Sequence, residues 1–169
     1  YSYQLREVLA LAPGSLLEVG VGGGLVLHTL RSAGIAATGA DLDLALGPDL
    51  VASVVALPFR DESYDVVACF EVLEHLPWDL FRTALDELHR VCRTHALVSL
   101  PDAGRVLRVH VSRLLPNRQI PLAFWPARPH VFDGEHYWEI GKRGYPLERI
   151  VATMAEAGFA LEHTFRPWE

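Results

Sequence analysis

LLEVGVGGG, residues 16–24, sets an acid in an apolar run and then places glycine at four of the six positions after Glu18. Ser15 to Val19 reads as a buried strand. Beyond the glycines, Val26, Leu27, Leu30 and Ala33 share one face of a helix that Gly34 ends. A strand that runs through such a turn into a helix presents backbone N–H groups and a helix N-terminus to whatever lies above it. In an open parallel sheet that is the edge where ligands bind. The spacing then discriminates between ligands. A dinucleotide turn of the form G-x-G-x-x-G starting at Gly20 needs glycine at position 25, which is Leu25; the chain carries G-x-G-x-G at Gly20, Gly22 and Gly24. A carboxylate at Glu18 would repel a pyrophosphate but attract an ammonium group, so the turn calls for a ligand with a cationic part.

Working outward, Ala36 to Ala40 reads as a second strand ended by Asp41, and Leu50 to Val54 as a third after a short turn. Tyr64 to Phe70, YDVVACF, is the best candidate for a central strand. Trp78 to about Arg93 has helical periodicity, with Phe81, Ala84, Leu85, Leu88, Val91 and Cys92 on one face and Arg90 and Arg93 in the last turn. HALVSLP, 95–101, reads as a fifth strand. A last helix through Leu147, Ile150, Val151 and Met154 starts at Pro146 and stops at Gly158, and Phe159 to Phe165 reads as a sixth strand. Strands alternating with helices predict a Rossmann-like, doubly wound, mostly parallel sheet with helices on both faces. Residues 1–169 fit one domain, with an insertion at about 102–145 whose length and lack of period suggest a substrate lid.

Half of the residues are apolar and the formal net charge is −6, an ordinary globular composition that argues against nonspecific nucleic-acid binding. No apolar run approaches the roughly 18 residues of a membrane span. Two cysteines, Cys69 and Cys92, read as small core residues, and a cytoplasmic setting is expected. The start at Tyr1 and the ending at Glu169 suggest that both ends are trimmed.

LLEVGVGGG resembles the first motif of the class I S-adenosylmethionine-dependent methyltransferases, in particular the type 11 group. The likeness continues in order through Asp41 and through ASVVALPFRDESYDVVACFEVLEHLP, residues 52–77. HYWEIGKRGYPLERI, residues 136–150, is also similar to a segment of some bacterial members. The resemblance implies S-adenosylmethionine as cofactor, S-adenosylhomocysteine as product, and a seventh, antiparallel strand between the fifth and sixth. It implies that Glu18, Gly20, Gly22 and Gly24 form the cofactor turn and that Asp41, with Leu42 beside it, accepts from the ribose hydroxyls; Asp43 is an alternative. Val54 and Leu57 would flank the adenine, while Phe70 and His75 would line the methionine end. Ser53 stands where the family usually has an aspartate that accepts from the adenine amino group. A neutral acceptor is weaker there than a charged one, so lower cofactor affinity is expected.

Candidates for a catalytic base are Glu71 and His75, four residues apart, and His136. The plainer reading has His75 packing under the cofactor and Glu71 capping its turn. The insertion carries Arg105, Arg108, Arg113, Arg118 and Arg128 with no acid between 103 and 132, interleaved with Leu114, Leu115, Phe124 and Trp125. Such a segment is either a solvated basic loop or a lid for an anionic or amphiphilic small-molecule acceptor. Metal binding is not expected, because His110, His130 and His136 lack a compact ligand spacing. Two competing readings remain: a cofactor-binding scaffold without turnover, and a nicotinamide oxidoreductase, against which Leu25 and Glu18 both argue.

Overall fold

The computed structural model describes residues 1–103, 128–132 and 134–164. Five strands, β1 (Ser15–Val19), β2 (Ala36–Asp41), β3 (Leu50–Val51), β4 (Tyr64–Phe70) and β5 (Cys92–Ser99), form one sheet in the order β3-β2-β1-β4-β5. Every pairing is parallel. The order reverses at β1, so a crevice opens above the carboxyl ends of β1, β2 and β4, where the glycine turn lies.

Both sheet faces are covered, as continuous apolar strands require. Leu16, Val66 and Ala68 face α1 (Ser2–Leu11) and α2 (Leu25–Ser32) through Val8, Val26, Leu27 and Leu30. Leu17, Val19, Val67 and Cys69 face α3 (Trp78–Val91) and α4 (Leu147–Glu156), with Phe81, Leu85, Leu88, Trp138 and Ile150 completing that core. The period of two in the strands and of 3.6 in α3 put those side chains on one interface, and each large one contributes about 1.5–3 kcal/mol by burial.

Two polar clamps hold the other end of the sheet, at and just before the start of β4. Asp65 accepts from Ser15 N while Ser15 Oγ accepts from Asp65 N, which ties the starts of β1 and β4 together. Arg90 donates to Glu87, Asp61 and the carbonyls of Phe59 and Leu57, and Leu57 N donates to Glu87. The 57–61 loop is thereby fixed on α3.

Several expectations need correction. The third strand is only Leu50–Val51; Ser53 and Ala56 turn back on each other in an isolated antiparallel bridge. Helix α3 stops at Val91, so Cys92 and Arg93 belong to β5. Arg93 is drawn there by Asp65 and by the Glu62 carbonyl, and Thr94 Oγ1 donates to the Asp65 carbonyl. Residues 159–164 are not a strand: Phe159 packs its ring edge-on to His89, and no described strand lies beside the segment to ladder with it. Residues 2–11, to which the sequence reading assigned no element, are helical. No described helix is long and apolar enough to cross a membrane. Arg105, Arg108, His110, Arg113, Leu114, Leu115, Arg118, Phe124 and Trp125 lie outside the described residues, as does Phe165.

Candidate functional site

The glycine turn takes its shape from three left-handed residues, Gly20, Gly22 and Gly24, with φ of 83, 49 and 72°. At Gly20 conformation and space act together, because a Cβ would come within 2.2 Å of Val72 Cγ2. Gly20 N donates to the Ala40 carbonyl and Val21 N to Asp41 Oδ2, so the turn is tied to the end of β2. The N–H groups of Gly22 and Gly23 have no acceptor among the described residues and stand at the entry to α2.

Around this turn lies a cleft of about 700 Å³. Glu18, Gly20, Gly22, Asp41, Leu42, Val54, Phe70, Glu71 and His75 all line it. Three of the expected cofactor residues do not, one of them Leu57, which is buried in the core and donates from its N to Glu87. Gly24 shapes the turn from behind, as the residue that precedes α2. Ser53 sits between two lining residues, Ala52 and Val54, and its hydroxyl accepts from Val55 N within its own turn. Of the two acids after β2, Asp41 faces the cleft, whereas Asp43 caps the short 3-10 turn Leu44–Leu46 by accepting from Ala45 N.

Glu18 is buried on the cleft floor, and its Oε2 has no hydrogen-bond partner. Burial pushes its carboxyl up to about 7; the Leu27 N–H and the Arg31 charge pull the other way without cancelling this. An orphaned buried acceptor of this kind is costly unless a donor arrives from outside.

On the opposite wall, Glu71 has a φ of 55° and is followed by a 3-10 turn, Leu73–His75. His75 is oriented not by Glu71 but by a bond between its Nδ1 and the Glu135 carbonyl, 3.0 Å long. His136 stacks edge-on against His75 with ring centroids 5.0 Å apart, and its Nδ1 lies 3.3 Å from Glu139 Oε1. Between them Glu74 is completely buried with both oxygens unpartnered, pushed up to about 7 chiefly by burial and further by Glu71.

The segment that delivers His136 is anchored. Tyr137 N donates to the Glu74 carbonyl, and fully buried Trp138 donates to the Leu76 carbonyl among Trp78, Phe81 and Tyr145. Trp138 is therefore a plug, while Tyr137 stays exposed. Sequence reasoning missed Tyr1 and Gln4, which α1 contributes to the cleft wall, and it missed Glu74. The signal for Glu74 was an acid inside an otherwise apolar turn, which needs a reason to be buried.

A doubly wound sheet with a glycine turn, a buried acid beneath it and a second acid at the end of β2 defines a nucleoside-cofactor domain rather than a dinucleotide one. Residues 17–100 match the family described as methyltransferase domain, and the chain belongs to that family. Among curated relatives, ubiquinone biosynthesis O-methyltransferase of Pseudomonas savastanoi pv. phaseolicola is 34% identical over a match covering 43% of this chain and 38% of that protein. The protein of the same name from Hydrogenovibrio crunogenus is 27% identical, with 43% and 36% covered. The chain thus spans well under half the length of these relatives. Among solved structures, a SAM-dependent methyltransferase of Thermotoga maritima, a possible histamine N-methyltransferase, superposes with a TM-score of 0.58 at 19% identity over 94% of this chain and 70% of that one. The 1,6-didemethyltoxoflavin-N1-methyltransferase of Burkholderia thailandensis, solved with S-adenosylhomocysteine, gives 0.52 at 19% identity over 60% and 52%. At such identities these structures bear on the fold alone.

Proposed function

We propose that this chain binds S-adenosylmethionine in the cleft above β1 and transfers its methyl group to an anionic or amphiphilic small molecule, in a cytoplasmic setting. The observation that carries the reading is Glu18, a buried carboxylate with an unpartnered oxygen directly beneath the glycine turn. The residues present fit the cofactor. Glu18 takes its ammonium, the Gly22 and Gly23 N–H groups take its carboxylate, and Asp41 accepts from its ribose hydroxyls. Leu42 and Val54 supply apolar walls for the adenosine, and Phe70 and His75 close the methionine end.

When bound, S-adenosylmethionine supplies an electrophilic methyl on a sulfonium. The chain's own part is to align the acceptor with that methyl and to exclude water. With its Nδ1 acting as donor to the Glu135 carbonyl, His75 keeps its lone pair on Nε2, where it can take a proton from an acceptor hydroxyl. Glu71 on that wall, and His136 beside the His75 ring, are the other candidates. The ubiquinone biosynthesis relatives support an oxygen acceptor.

One observation favours the alternative, a cofactor-binding scaffold without turnover. Ser53 offers no charged acceptor to the adenine, and its hydroxyl is engaged in its own turn. Calorimetric titration with S-adenosylhomocysteine tests what the two readings share, since saturable binding at one site is expected and its absence overturns both. Turnover of any acceptor excludes the scaffold.

Glu18 also predicts a pH dependence. Its ionised form receives the ammonium, so with a free-protein value of about 7 the ionised fraction rises from about one-tenth at pH 6 to about three-quarters at pH 7.5. Affinity for S-adenosylhomocysteine should rise roughly eightfold over that interval. The Glu18→Gln variant should bind weakly with a flat profile, and an unchanged slope there would remove Glu18 from the ammonium site. For folding the sign is opposite. A carboxyl raised above its ordinary 4.5 binds more protons folded than unfolded, so its contribution to stability declines as pH rises from about 4.5 to 7.

A further inference from the structure

Glu74, His75 and His136 present one ligand atom each within 4.8 Å of one another, and His75 of the three lines the cleft. We infer that these three side chains form a site for a divalent transition-metal ion; with the ion bound His75 is a ligand and not the base, and the ion in its place would hold and acidify the acceptor hydroxyl.

Three observations converge on it. The first is Glu74, completely buried, with both carboxylate oxygens unpartnered although it points among polar groups. The neighbouring Glu71 carboxylate raises the cost of ionising Glu74, because two like charges repel. A cation satisfies both oxygens where no donor does.

The second is how the imidazoles are held. His75 Nδ1 is bonded to the Glu135 carbonyl and His136 Nδ1 faces the Glu139 carboxylate. An oxygen acceptor on one ring nitrogen fixes the tautomer that leaves the other nitrogen's lone pair for a metal, and metal-ligating histidines are almost always supported in this way. His75 carries that support at 3.0 Å and His136 at 3.3 Å.

The third is anchorage. His75 follows Glu74 in a hydrogen-bonded turn, and His136 is brought to it by the Tyr137 N–H to Glu74 carbonyl bond and the buried Trp138. Metal–ligand bonds of about 2.0–2.2 Å require the three side chains to close on the ion from their present spacing of up to 4.8 Å. Two imidazoles and one carboxylate suit zinc, manganese, iron or cobalt, and three protein ligands leave positions open for an acceptor oxygen. The expectation of no metal came from sequence spacing. A ligand set in which His136 lies 61 positions after His75 is not compact in sequence, and the docking of Trp138 makes it compact in space.

The role of the ion rests on the methyl-transfer reading; the site itself does not. The test is titration of untagged, metal-stripped protein with cobalt(II) chloride, followed by visible absorption, with melting temperature read in parallel. Expected are one equivalent bound per chain, a d–d spectrum of nitrogen and oxygen ligation, and a higher melting temperature. His136→Ala and His75→Ala, shown folded by circular dichroism, should each weaken binding at least tenfold. Absence of stoichiometric binding, or affinity unchanged in both variants, overturns the site. Titration of the metal-stripped protein with S-adenosylhomocysteine separates the two readings: S-adenosylhomocysteine binding without metal uptake sinks only the ion, and metal uptake without S-adenosylhomocysteine binding sinks only the cofactor site.

Discussion

Gly20→Ala is expected to lower the melting temperature by about 10 °C and to abolish measurable binding of S-adenosylhomocysteine. Two separate costs add. The left-handed φ of 83° costs a residue with a Cβ about 1–2 kcal/mol. The new methyl also falls 2.2 Å from Val72 Cγ2, and overpacking of that kind costs about 1–3 kcal/mol. A sum of about 3–4 kcal/mol corresponds to a shift near 10 °C at this chain length. Relief of the contact must move either the glycine turn or Val72, and Val72 lies directly between Glu71 and the turn that carries Glu74 and His75. Both walls of the cleft are therefore disturbed at once. The double variant Gly20→Ala/Val72→Ala removes the colliding methyl and leaves the backbone cost, so it should recover about half of the lost stability. A single variant that melts within a degree or two of the parent would mean that the close approach at Gly20 is not what shapes the turn.

That contact also marks how far the sequence could be read. The strand–turn–helix from Ser15 to Ser32, the interior strand Tyr64–Phe70 and the helix Leu147–Glu156 were legible because each has an unbroken period bounded by glycine, proline or a polar turn. The Glu18, Gly20 and Asp41 cluster was legible too, since the turn and the next strand end are joined through a single parallel pairing. What failed was decided by contacts distant in sequence. Arg93 looked like the end of a helix until Asp65 drew it into β5. Phe159 looked like the start of a strand, but its ring is used on His89. Ser53, expected at the adenine, stands between two residues that line the cleft, and its hydroxyl also accepts from Val55 N, a local bond the sequence did not announce. Helix α1 escaped notice because its single fully buried residue, Val8, leaves only a faint stripe, although Tyr1 and Gln4 at its start line the cleft.

The second large effect is expected at Asp41, where structure and ligand draw on one carboxylate. Its Oδ2 accepts from Val21 N at 2.9 Å and its Oδ1 from Asp43 N at 3.0 Å. Each oxygen keeps a further lone pair, and the residue lines the cleft. Under the proposed function those lone pairs receive the two ribose hydroxyls, and hydrogen bonds to a charged acceptor are worth about 1.5–3 kcal/mol each. Asp41→Ala should therefore weaken binding of S-adenosylhomocysteine on the order of 100-fold or more, since 1.4 kcal/mol is tenfold. Asp41→Asn should not rescue it, because its amide NH2 would face either the Val21 or the Asp43 N–H, donor against donor. Loss of the Val21 tie alone would also loosen the glycine turn, so the alanine variant by itself does not isolate the ribose contact. A cofactor analogue lacking the 2′-hydroxyl does. The parent should bind it at least tenfold less tightly than S-adenosylhomocysteine, while Asp41→Ala should bind the two alike. Equal discrimination by both proteins would assign Asp41 to the turn and not to the ribose, and a variant within threefold of the parent for the intact ligand would remove it from the site.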